Sequence, residues 1–217
     1  MLGLLLAGCA TAPPGTYFPI LSDPDTQKVS HALYRAARAA GDDPDRYSFA
    51  LVRSAEAQAY SDTDATFYVT DGLAHLPAPV VEAVLAHEVA HEILGHAGKR
   101  RALSLSMRAG FTVLGILFPG VGLADLVINP LVVRAFARDQ EKQADVRGVK
   151  ILRVMGYEAP RRALASALET VEAINRDTEP AGGIWSTYPP TAERLAALEP
   201  LEPATAVVAE AHLWGVD

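Results

Sequence analysis

The chain has 217 residues, of which 50% are apolar and 21% charged, which suits one globular domain with a sizeable core and excludes a disordered polypeptide. Its net charge is -7 and its Lys and Arg residues are not gathered into a stripe, which excludes nucleic acid as a partner, because phosphate binding needs clustered cations. A single cysteine excludes an intrachain disulfide, and no repeat on the scale of about 20–50 residues is present.

Met1 to Cys9 is an apolar run that ends in small residues. Leu6-Ala7-Gly8-Cys9 resembles the lipobox of bacterial lipoproteins, in which the Cys is lipidated and becomes the mature N-terminus. The segment lacks a Lys or Arg start and its apolar stretch is short for a signal peptide; an upstream start codon would account for both. The alternative is a buried N-terminal strand with an incidental Cys. The resemblance implies lipidation at Cys9, a truncated signal segment over residues 1–8, and the periplasmic face of a bacterial envelope. Ala10 after the Cys favours the outer membrane. Residues 9–24, including Ala10-Thr11-Ala12-Pro13-Pro14-Gly15, read as a flexible tether, and residues 25–217 as the folded domain.

Asp25 or Thr26 can cap a helix that runs to Ala40 and stops at Gly41, with Val29, Leu33, Ala36 and Ala37 on one face. Tyr47–Arg53 and Thr66–Thr70 read as strands, the second rich in aromatic and β-branched residues and ended by Asp71-Gly72. Pro77 and Pro79 precede a helix from about Val80 to Ala97, and apolar residues surround most of its circumference, so it is buried. From Ala109 to Ala124 there is no charge; Asp125 interrupts, and Leu126–Val133 is apolar again. Gly and Pro break this stretch below the roughly 18 residues of a spanning helix. Two readings stay open for residues 109–133: two core helices with a Pro-Gly turn, or a helical hairpin that dips into a bilayer or meets an apolar partner. Helices from Pro130 to Met155, from Pro160 to Asn175 and from Pro189-Pro190 through Leu198 complete a chain that is mostly helix with a small sheet, hence α+β.

His87-Glu88-Val89-Ala90-His91 is an H-E-x-x-H motif inside the buried helix. Residues four apart in a helix lie about 40° apart around the axis and about 6 Å along it, so two imidazoles so placed can reach one zinc. Glu88, beside the first ligand, can take a proton from a water activated at the metal and return one to the leaving amine. Burying His87, Glu88 and His91 without partners would cost several kcal/mol, and a metal satisfies all three. A third ligand is needed. Glu141, Asp145, Gly148, Leu152 and Met155 share one helix face that continues into apolar residues, so the two carboxylates point inward. Glu141 on zinc and Asp145 on the N–H of a ligand histidine would satisfy both. Lys142, Arg147, Lys150 and Arg153 fall elsewhere on that helix. His96 stands about 140° around from His91 on a continuous helix and reads as structural. His31, His75 and His212 have no ligand-like spacing.

These motifs, followed by Tyr188-Pro189-Pro190-Thr191-Ala192-Glu193-Arg194-Leu195, resemble the gluzincins and more narrowly the family of the CaaX prenyl proteases, HtpX and the BepA-like peptidases. Phe67-Tyr68-Val69-Thr70-Asp71-Gly72-Leu73 resembles the strand and turn which that family places before its active-site helix. The resemblance covers roughly residues 25–200. It implies one zinc per chain on His87, His91 and Glu141, with Glu88 as general base. It also implies Phe67, Tyr68, Val69 and Thr70 as an edge strand to which a substrate backbone adds. Two positions depart from the family: Gln143 stands where Glu is frequent, and Tyr188 stands where His usually precedes the Pro pair. Tyr188 can donate to the developing oxyanion or be a packed loop aromatic. Arg194 sits at the family's Arg position and supports the site or the loop.

The expected function is a metalloendopeptidase of the cell envelope acting on misfolded or mis-assembled envelope proteins. The alternatives are an assembly lipoprotein that uses a latched peptidase fold as a chaperone, and a zinc hydrolase of a non-peptide substrate.

Overall fold

A computed structural model describes residues 12–61, 65–99, 130–178 and 191–203. The first helix, α1 (Pro24–Ala40), is capped by Asp23, whose Oδ2 accepts from the Thr26 N–H at 2.8 Å. The cap therefore lies just before the Asp25 or Thr26 expected from the sequence. Gly41, at φ 81°, closes the helix in the left-handed conformation that glycine adopts without strain. Val29, Leu33, Ala36 and Ala37 are buried on one face, as the spacing predicts.

Four short strands follow the order β1 (Thr16–Tyr17), β2 (Ser48–Val52), β4 (Thr66–Thr70) and β3 (Ala59–Ser61) across a mixed sheet. β4 runs parallel to β2, with Phe67 opposite Phe49, and antiparallel to β3, with Tyr68 opposite Tyr60. Two expectations change here. Thr16 and Tyr17, within the segment read as a tether, are paired antiparallel to Val52 and Leu51. More important for function, Phe67–Thr70 is not an edge strand: both of its sides carry ladder bonds, and the edge beside it is β3. Phe67 and Val69 are fully buried, and Thr70 is spent inside the fold. Its hydroxyl accepts from Gln58 N at 2.8 Å, donates to Gln58 O at 3.0 Å and caps the single-turn α2 (Asp71–Ala74). No backbone group of these four residues is placed to receive a substrate.

Gly72, just past β4, has its N–H on Ser54 O at 2.9 Å, and a Cβ built there would lie 2.2 Å from Ala55 O. The loop leading to β3 is pressed against this turn, so Gly72→Ala is expected to cost about 3 kcal/mol. That is a fall of ~10 °C in melting temperature. An unchanged melt would mean that the loop yields freely.

The central helix, α3 (Ala78–Ile93), is wrapped by α1, by α4 (Pro130–Val154) and by α5 (Pro160–Thr178). Val81, Leu85 and Val89 of α3 join Phe67, Ile151, Leu152 and Leu164 in one core, so the all-round apolar pattern of this helix does reflect burial. α3 ends at Leu94-Gly95, earlier than the Ala97 expected. Gly95 at φ 65° turns the chain before a new helical turn over residues 96–99. Glu82 binds Arg35 Nη1 and the Tyr157 hydroxyl, each at 2.6 Å, and Arg35 Nη2 donates to Met155 O, which ties α1 and the end of α4 to α3. A Cβ at Gly148 would stand 3.3 Å from the His87 Cα, so α4 crosses α3 closely at the first motif histidine. The last helix, α6 (Thr191–Leu198), lies on α4 and α5.

Cys9, the apolar stretch over residues 109–129, Tyr188 and His212 lie outside the described residues. Among the described residues, no helix is long and apolar enough to cross a membrane.

Candidate metal centre

The close crossing of α3 and α4 brings the two motifs together. Nε2 of His87 and Nε2 of His91 are 3.0 Å apart. Glu141 Oε2 lies 3.2 Å from the first and Oε1 3.3 Å from the second. All three side chains are buried. A tetrahedral zinc with ligand bonds of about 2.0–2.1 Å separates its ligand atoms by about 3.3 Å. The separations, taken to the nearer Glu141 oxygen for each histidine, are of that order, and the converging atoms are two imidazole nitrogens and a carboxylate, a donor set that zinc takes in peptidases. Charge agrees as well. Among the described residues, the carboxylates of Glu88, Glu141 and Asp145 act on the largely buried guanidinium of Arg194, a negative excess that a divalent cation would offset.

Behind the ligands, His87 Nδ1 lies 3.0 Å from Asp145 Oδ1, the carboxylate–histidine pairing expected of Asp145. Arg194, brought in by α6, donates from Nε to Asp145 Oδ2 at 2.9 Å and from Nη2 to Oδ1 at 2.5 Å, and its Nη1 is 3.3 Å from Glu141 Oε2. Its Nη2 is also 3.3 and 3.4 Å from the two ring nitrogens of His87, nearly equidistant, which sets it over the ring rather than in line with either lone pair. Arg194 thus supports the site rather than the loop alone. Lys142 holds the same helix from outside through Glu193 at 2.8 Å.

Burial and Arg194 both oppose a charge on His87, yet the hydrogen bonds to Asp145 and Glu141 outweigh them and push its pKa up from 6.5 to about 9. Burial likewise opposes the charge on Glu141, but His87 and His91 hold it well below the usual carboxylate range. The metal-free site therefore favours a proton where the metal would sit. A raised His pKa stabilises the fold fully below about 6.5 and loses that contribution as pH rises through about 9. The depressed Glu141 contributes above about 4.5 and loses its share below that. In chelator, the melting temperature is thus expected to be lower at pH 9 than at pH 6. With zinc present it should not fall over that interval, because protons compete with the metal. A chelated protein equally stable at both pH values would count against this coupling.

Glu88, half-buried, lines a cleft of about 110 Å³ together with His87, His91 and Glu141. One wall is the edge strand β3; the other is apolar, formed by Val84 of α3 and by Leu164, Leu168 and Val171 of α5. Asn175 near the end of α5 fixes the two walls. Its Oδ1 accepts from Ala57 N at 2.7 Å and its Nδ2 donates to Ala57 O at 3.1 Å, just before β3. Nothing in the sequence marked Asn175 beyond its position at the expected helix end. His96 was read as structural because a continuous helix turns it away from the site. The bend at Gly95 returns it, fully buried, with Nδ1 at 2.9 Å from His91 Nδ1. No curated protein matches the chain. The sequence profile of Peptidase family M48 matches residues 23–202, a span that holds the His87, His91 and Glu141 cluster, its supporting residues and both cleft walls, and the chain belongs to that family.

Proposed function

We propose that the chain is a zinc metalloendopeptidase of the bacterial cell envelope, of the CaaX prenyl protease, HtpX and BepA-like kind, which cleaves extended segments of misfolded or mis-assembled proteins. The observation that carries this reading is the cleft. It sets the Glu88 carboxylate and the three ligands between an edge strand and an apolar wall. His87, His91 and Glu141 would hold one zinc, which supplies Lewis acidity for a water nucleophile and the scissile carbonyl. Glu88 takes the proton of the attacking water and returns one to the leaving amine. Asp145 keeps the His87 ring oriented, and Arg194 holds Asp145 and balances Glu141. An extended substrate adds its backbone to β3, Ala59–Ser61, and lays a side chain against Val84, Leu168 and Val171.

Incubation with unfolded casein, followed by mapping of the new termini, tests this reading. Zinc-dependent cleavage beside apolar residues is expected; inactivity on every unfolded chain would remove the peptidase reading. The lipobox-like Leu6-Ala7-Gly8-Cys9 supports an anchor at Cys9 on the periplasmic face, in the outer membrane rather than the inner, and the apolar stretch over residues 109–133 supports a second contact with the bilayer. Fractionation of the full gene product should place wild type with the membrane and Cys9→Ser in the soluble fraction. Equal solubility of the two would remove the anchor.

A further inference from the structure

We propose that His96 is a positioning residue for the metal ligand His91, holding it in the one tautomer that turns a lone pair toward the metal. The inference rests on the reading of His91 as a ligand and carries it one layer outward. The two ligand histidines are backed differently. His87 has the carboxylate of Asp145 behind it; His91 has the imidazole of His96, with the two Nδ1 atoms 2.9 Å apart.

A hydrogen bond between two ring nitrogens needs one proton, and a neutral imidazole carries only one N–H. When His91 Nε2 faces the metal, the His91 proton sits on Nδ1 and is donated outward. His96 Nδ1 must then accept it, so the His96 proton sits on Nε2. That nitrogen is 3.4 Å from Gln143 Oε1, a long contact with the right polarity. The Gln143 amide is oriented to match, because its Nε2 donates to Asp139 Oδ2 at 2.6 Å. With His91 donating from Nδ1, each of these contacts from His91 to Asp139 pairs a donor with an acceptor. The opposite tautomer of His91 would aim an N–H into the cluster of Glu141 and His87; His96 would then either donate from Nδ1 and turn a bare Nε2 toward Gln143 Oε1, or keep its Nε2 proton and leave two bare Nδ1 lone pairs facing each other at 2.9 Å. The turn that brings His96 there is itself held: Gly95 takes φ 65°, and the Gln140 side chain donates to His96 O at 3.4 Å. A glutamine at 143, where the resemblance leads one to expect a glutamate, presents His96 with an amide oxygen in place of a carboxylate.

The test uses two amide replacements that differ in where they place an oxygen. His96→Asn can set an acceptor at the position of Nδ1; His96→Gln reaches the position of Nε2 and leaves Nδ1 unreplaced. Zinc affinity is measured by chelator competition, the d–d spectrum of the cobalt-substituted protein is recorded, and melts are run in chelator to follow the fold separately. Loss of an outer partner of a ligand typically costs 10–100-fold in metal affinity. The expected result is a fall of about 10–100-fold in His96→Gln with a shifted cobalt spectrum, and largely retained affinity in His96→Asn, with similar chelated melts. Equal affinities in the two variants, whether both kept or both lost, would overturn the proposal. Gln143→Leu, at an exposed position, keeps it testable if a core variant fails to fold. It should weaken zinc in the same direction, and no change there counts against the relay. Wild-type protein that binds no zinc would instead overturn the reading of the metal centre itself.

Discussion

Replacing Glu141 with alanine is expected to strip the protein of zinc while leaving most of its fold in place. Removing the carboxylate leaves two imidazoles, whose Nε2 atoms stand 3.0 Å apart, too few donors to close a peptidase site. Loss of a partner behind a ligand costs about 10–100-fold, so loss of a ligand should exceed ~100-fold. Arg194 does not lose its own support, because it keeps two hydrogen bonds to Asp145. The core beneath the site, built on Leu85, Val89, Leu152 and Leu164, is also untouched. Elemental analysis after dialysis checks this directly, alongside His91→Ala. Stoichiometric zinc in either variant would show that the metal, if one binds, is held elsewhere.

Glu88→Gln is expected to separate binding from chemistry. Glu88 follows His87 along α3 and lines the same cleft without being one of the three clustered residues, so the substitution should leave zinc content and melting temperature near wild type. Glutamine keeps the volume and can still hydrogen-bond a water, but it cannot accept a proton. Hydrolysis should fall by about 10²–10⁴-fold, the usual weight of a positioned general base. Turnover of casein within a few-fold of wild type, at equal zinc content, would take Glu88 out of the mechanism.

Much of this was legible because the relevant signals are local. The spacing of His87 and His91 on one helix, and of Glu141 and Asp145 on another, states which side chains share a face, and burial of Leu152 on the same stripe states which way that face points. What failed depended on non-local pairing or on a break in an otherwise helical pattern. The aromatic and β-branched residues of Thr66–Thr70 announce a strand, but they do not say that β3 would cover its free side, because strand order is settled by pairing across the sheet. Thr16 and Tyr17 sit in a Pro- and Gly-rich stretch too short to show alternation, and their place is set by the partner strand. His96 was misplaced because Leu94-Gly95 fits an apolar helix, and a single Gly inside such a pattern is tolerated as readily as it ends it. Asn175 binds backbone more than a hundred positions away, a contact that carries no trace in its neighbours.

Zinc back-titration into the chelated enzyme tests the central claim most directly, with metal content and hydrolysis of an unfolded protein followed in the same samples. Activity should be absent in the chelated protein, return in proportion to bound zinc and saturate at one zinc per chain. Turnover that persists without metal, or full loading of the site with no turnover on any unfolded chain, would contradict it.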